Sequence, residues 1–430
     1  QALAGFMARL PRAPFGTGGP LPAGVAPAPD LAAFAAEVDA LAQRDHLPFG
    51  TLVAVRYSQP GHGNGVPVGY DGFGDSALWT GSYVASQALR YEATGDLRAV
   101  DGAAVALRGL RACLEVTGNP GLLCRAVIPT SSPFASGFGS FVGRSGGVSY
   151  AAIAGISRDQ YIGTILGIMS AWRRVPALRG EAASLMSMIA GYLQGTGWCA
   201  LDFPSGRLSA PFTQTPDVLW SVLQGANAAD RARFGALHDA NQDLARICWL
   251  PVWLSSRDLL GAYYPANLFH GTAATLVTVE TDPALYREYV KGFEIMREAT
   301  GHHGNAWFDA AWAMTVPSAA PAAGAQVEVA LQRFTLRDRR DVAPATDSDP
   351  AIAKVFYTPA AAVTLQGGPP PSGFWVAQFP IPVEKRRGGD FIWQQSPFHL
   401  SSGQNDPDVE QPGVDFLLPY WAGEAYGFLP

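Results

Sequence analysis

The sequence predicts a mainly helical protein made of consecutive helical hairpins, with minor β structure and a loop-rich C-terminal extension. Three observations carry this. Helix stops and starts come back to back, most clearly at Thr94-Gly95, a left-handed stop, followed by Asp96 as the next cap. The strand–helix alternation of a Rossmann or TIM fold is missing. Hydrophobic residues make up 48% of 430, enough for a large core, while charged residues are only 15% against roughly 25% in ordinary soluble domains.

Taken in order, residues 1–29 are rich in Pro, Gly and Ala and read as an extended arm. Asp30 caps a first helix, and residues 50–57 alternate like a short strand. Residues 58–75 are glycine-rich loop, leading into the hairpin 76–95 and 97–116. A Gly/Ser-rich segment, 130–155, contains a small β-ribbon around residues 141–155. Ser157 and Gln160 have capping-box spacing and open the next helix, whose partner is 180–195. Thr215-Pro216 starts another helix, and further ones fall near 227–247, 250–262, 267–280 and 283–299, the last opened by Asp282-Pro283. Asn305 starts the helix NAWFDAAWAMT. Residues 30–315 thus form a helical body, and 316–326 read as a Pro/Ala linker into the extension 316–430. The extension holds one helix-like run after the linker, mostly loop over 340–413, and a final helix from Val414 that packs back on the body. Hairpins of this kind can close into a ring that buries one helix of each pair and leaves loops at two rims.

Charge and composition exclude several functions. Net charge is −6 and the longest basic run is Lys385-Arg386-Arg387, so no basic stripe for nucleic acid exists. No apolar run approaches the roughly 18 residues of a membrane span. G-x-S-x-G, Walker, H-E-x-x-H and EF-hand signatures are absent. No cofactor is implied. The numbering begins at Gln1 in place of Met, which fits a processed, exported chain; secreted, periplasmic or cell-surface placement is expected. The four cysteines, 113, 124, 199 and 248, lack C-x-x-C spacing and are read as two disulfides, Cys113–Cys124 and Cys199–Cys248, with buried free thiols the plain alternative.

The stretch GDSALWTGSYVASQALRYEATGD, from Gly74 to Asp96, resembles a helix pair of the (α/α)6 toroids found in glycoside hydrolases and polysaccharide lyases. NAWFDAAWAM is similar to a second inner helix of that kind. The resemblance implies an acidic residue ahead of an inner helix, facing an aromatic-lined cleft that takes a carbohydrate polymer or oligosaccharide.

Four clusters bear chemistry. Asp71 and Asp75 lie in a glycine-rich approach to a helix carrying Trp79 and Tyr83. Glycoside hydrolysis needs two carboxyls, one as acid and one as base or nucleophile, and Asp75 can supply one; the plainer reading is an N-cap at Asp75 and a turn ordered by Asp71. Asp159, flanked by Arg158 and Tyr161, is the second carboxylate, although a first-turn acid also suits the helix dipole. His303, Asn305 and Trp307 form a third group; with Tyr161 they fit a β-eliminating lyase that needs a base and a charge-stabilising amide. Adjacent histidines lack zinc spacing, so no metal is expected. His270, within the Tyr263–His270 stretch, reads as structural, and the tail from Arg386 to Leu400 reads as a lid or a seal. The expectation is a carboxylate-pair hydrolase (Asp75, Asp159), with a lyase based on His303 or a self-assembling, non-catalytic scaffold as the alternatives.

Overall fold

In a computed structural model, capping side chains open five of the helices: Asp30, Asp96, Asp230, Asp282 and Asn305 each accept from a backbone N–H of the first turn. Described are residues 30–59, 65–201, 203–211, 216–245, 259–337, 345–346, 348–357, 373–389, 391–401 and 406–429. The arm 1–29, Cys248, Asp390 and part of the helix expected at 250–262 lie outside the described residues. Asp30 accepts from Ala32 N at 2.9 Å and opens α1 (Leu31–Leu41). The first hairpin is α2 (Ser76–Thr94) and α3 (Leu97–Glu115). Gly95, at φ 68°, ends α2 by donating to Tyr91 O, and Asp96 caps α3 through Arg98 N at 2.9 Å. Then come α4 (Arg158–Arg174), α5 (Arg179–Gly195), α6 (Pro216–Ala229) and α7 (Arg231–Ala240). They are followed by α8 (Leu259–Val279), α9 (Pro283–Thr300), α10 (Ala306–Thr315), α11 (Ala320–Phe334) and α12 (Val414–Tyr426).

Three expectations are corrected. The Pro/Ala linker is helix: Pro321 lies in the first turn of α11, where its missing N–H costs nothing, and alanines carry the helix on. The expected break near 263–266 is absent, since α8 runs through Pro265. Ser157 does not cap α4; its hydroxyl accepts from Arg125 Nη2 at 3.1 Å. Four small antiparallel sheets are present among the described residues. β1 (Ala54–Tyr57) is central between β2 (Pro67–Asp71) and β10 (Val409–Glu410). The expected ribbon is β4 (Phe141–Ser145) and β5 (Val148–Ile153), joined by β3 (Ala126–Pro129). The other two are β6 (Cys199–Leu201) with β7 (Leu208–Pro211), and β8 (Lys354–Tyr357) with β9 (Phe374–Ala377).

Successive hairpins pack in a definite order. α2 lies on α4, α4 on α6 and α8, α6 on α8, α8 on α10, α10 on α12, and α12 returns to α2. The tightest of these contacts is α2 on α4. A Cβ on Gly81 would overlap the Gly163 carbonyl, and one on Gly167 would overlap the Gly81 carbonyl, so the two backbones touch without side chains between them. At the α1–α2 contact Asp39 is buried against Arg90, Gln87 (2.5 Å) and Tyr83 (3.2 Å); burial raises its pKa against the pull of Arg90. No helix among the described residues is long and apolar enough to cross a membrane. Among the described residues Cys113, Cys124 and Cys199 are free thiols and no disulfide is formed; Cys248, the partner expected for Cys199, lies outside them.

The glycine crossing yields a direct prediction. Gly163→Ala should destabilise the protein by at least the 1–3 kcal/mol typical of overpacking, whereas Gly180→Ala, where no atom lies near the added Cβ, should not. Urea unfolding of the two variants side by side checks this.

Candidate active site at the helix N-termini

The N-terminal ends of the central helices are tied together by side chains. Gln160, on the first turn of α4, donates from Nε2 to Asp75 Oδ1 at 2.8 Å and accepts at Oε1 from Leu78 N at 3.2 Å. This joins α4 to α2 and uses the glutamine across helices instead of in a capping box. Asp159 joins α4 to α8: its Oδ2 accepts from the Tyr264 hydroxyl, while its Oδ1 is buried without a partner among the described residues. Tyr263 joins α8 to the start of α10, accepting from Asn305 Nδ2 at 3.3 Å. Asn305 also donates to Trp393 O at 2.9 Å, and Trp393 Nε1 donates to Asp415 O at 2.5 Å, which brings in α12.

Asp75 and Asp159 therefore lie near each other at the N-terminal ends of α2 and α4. Asp75 precedes α2 but makes no side-chain cap, so capping does not account for it. It is 28% exposed and lies 3.6 Å from Arg125. Arg125 is itself held by Gly74 O (2.6 Å), Gly155 O (2.6 Å) and Ser157 Oγ. Burial raises the Asp75 pKa, and the negative charge of Asp159 raises it further, against the opposing pull of Arg125 and Gln160. Tyr264 is kept a neutral phenol: burial raises its pKa first, then the charge of Asp159. The arrangement can hold a proton on one carboxyl beside a second carboxylate. Arg158, half-buried, opens α4 next to Asp159.

Other expected site residues lie elsewhere. Asp71 is exposed at the end of β2, where Oδ1 accepts from Gly72 N at 2.8 Å and orders the turn. Tyr83 is core, bonded to Asp39. Tyr161 is fully buried; it donates to Gly121 O (2.9 Å) and accepts from Leu123 N (3.1 Å), leaving it no role as a base. Trp79 and Trp307 are buried in the helical interior, and Phe391 stacks on Trp79 at 4.6 Å between centroids. Asn305 caps α10 through Phe308 N at 3.1 Å. His303 is buried against Tyr263 and Phe398, and burial with the nearby Arg386 charge lowers its pKa to about 3.

The tail is a seal. Arg386 holds the carbonyls of Ile381 (2.9 Å), Gly304 (3.0 Å) and His303, while Trp393 is fully buried. Tyr264, Arg125 and Phe391 were not singled out from the sequence. Tyr264 had a faint signal as a tyrosine in a polar–aromatic stretch, while Arg125 had none. Among the described residues no group of His, Cys, Asp and Glu has the makings of a metal site. Comparison with protein-family models, curated proteins and solved structures finds no match to this chain.

Two buried histidines have a pH signature. His270 stacks on Phe308, its Nδ1 donates to Ala266 O at 2.7 Å, and burial lowers its pKa to about 3, as for His303. The unfolded chain takes up these protons near pH 6.5, well before the native state, so this stability is complete above that pH and is lost on acidification toward 3. Each histidine should cost about 2 kcal/mol between pH 7 and pH 5. Urea unfolding at the two pH values should show a shallower loss in His270→Gln and His303→Gln.

Proposed function

We propose that the protein is a glycan-active enzyme, a glycoside hydrolase in which Asp75 is the general acid and Asp159 the general base or nucleophile. The observation that carries this is the convergence of two carboxylates at adjacent helix N-termini, one of them raised by burial and by the charge of the other. Asp75 protonates the leaving oxygen; Asp159, steadied by Tyr264, activates water or attacks the sugar carbon. Arg158 is a candidate for binding substrate hydroxyls. The packing order α2, α4, α6, α8, α10, α12 and back to α2 supports an (α/α)6 toroid with α3, α5, α7, α9 and α11 outside.

A second reading, a non-catalytic scaffold that self-assembles, is favoured by one feature. Phe356 and Trp375 meet edge to face on β8 and β9 and are each more than half exposed.

A glycan-degradation screen separates the two. Wild type should release reducing ends, and Asp75→Asn and Asp159→Asn should each lose on the order of 100-fold or more. Activity should fall as pH rises through the raised Asp75 pKa, because the acid must carry its proton. Inactivity of the wild type on every polymer, with concentration-dependent association, favours the scaffold.

Export is part of the proposal, and it carries oxidation of a cysteine pair. Cys124 N donates to Cys113 O at 2.9 Å, and burial followed by the adjoining Cys113 thiol pushes the Cys124 thiol up. In exported protein, thiol titration under denaturing, non-reducing conditions should find this pair unreactive and joined; two reactive thiols there would argue against export.

A further inference from the structure

A second polar feature lies inside the helical body. A cavity of about 20 Å³ lies among α2, α4, α8, α10 and α12, with apolar walls that include Ile162, Leu166, Phe391 and Leu418. Four lining side chains carry polar atoms: Trp79, Ser82, Asn267 and Trp307. Trp79 is 3% exposed and Asn267 5%, and neither Trp79 Nε1 nor Asn267 Oδ1 has a hydrogen-bond partner among the described residues. The first is a donor without an acceptor, the second an acceptor without a donor.

We propose that this cavity is a built site for a single water molecule. Its oxygen accepts from Trp79 Nε1, and its protons go to Asn267 Oδ1 and Ser82 Oγ. The serine proton is already committed to Leu78 O at 3.2 Å, so its oxygen is free to accept. The three partners match what a buried water makes. Size selects the ligand: one water needs about 10–15 Å³, and 20 Å³ leaves no room for a sugar ring. Phe391, stacked on Trp79, lines the site, and Trp393 two residues on is anchored to Asp415 and Asn305.

The position has a regular origin. Ile162 and Gly163 follow Asp159 by three and four residues on α4, and Asn267 and Leu268 follow Tyr264 by the same steps on α8. The water site is thus the layer one turn below the Asp159–Tyr264 pair. It stands whether or not Asp75 and Asp159 are catalytic.

The test is water cross-relaxation at the indole N–H of Trp79 in the full chain, with the resonance assigned by Trp79→Phe. A cross-peak with the sign of a slowly tumbling, protein-bound water is expected, and Asn267→Leu should abolish it. Absence of that peak in wild type, or its persistence unchanged in folded Asn267→Leu, overturns the proposal. A wild-type crystal structure with ordered solvent gives a check that needs no variant. One water within hydrogen-bond distance of both atoms is expected; a dry cavity, or a direct Trp79–Asn267 bond, overturns it.

Discussion

Everything at the rim depends on the bare-backbone crossing of α2 and α4. Gly81, Gly163 and Gly167 let two helices approach until peptide groups touch, with no side chain between them at the crossing. That approach is what puts Gln160 within reach of both Asp75 and Leu78 N. An alanine at any of the three positions inserts a methyl where a carbonyl already sits, and the helices must part.

The rim is also an electrostatic compromise. Helix N-termini favour nearby negative charge by about 0.3–1 kcal/mol each, so carboxylates at the heads of α2 and α4 are individually well placed. Placed together, they repel. Arg125 offsets part of that repulsion, but its donors are mostly committed to two loop carbonyls and Ser157. Burial and mutual repulsion win at Asp75, which is why its proton is held more tightly than in an ordinary aspartate.

How far this was legible in the sequence varies with range. Caps and stops were readable, since Asp30, Asp96, Asp282 and Asn305 bond backbone groups within three residues. Asp75 and Asp159 were readable as a pair because each sits beside a recognisable helix start. Ser157 and Gln160 misled, because a residue with capping spacing was claimed by partners 32 and 85 residues away. Tyr83 and Tyr161 misled for a related reason: a tyrosine beside a candidate carboxylate looks like a site residue until its burial is known. The alanine-rich run after Val316 was mistaken for a linker because two prolines outweighed strong helix formers, although proline in a first turn is harmless.

The rim hydrogen bonds also bear on how the chain reaches its native state. Gln160 meets Asp75 across 85 residues and Tyr264 meets Asp159 across 105, and at the opposite end of α4 Arg174 reaches Tyr426 across 252. Contacts so distant in sequence are slow to form, because loop-closure entropy must be met before they stabilise anything. During synthesis the first hairpin emerges long before its neighbour α12, so α2 waits with one flank uncovered. The carboxylate cluster is therefore assembled late, and a nascent chain that stalls before α12 presents a sticky helical half-body, the kind of surface that chaperones bind.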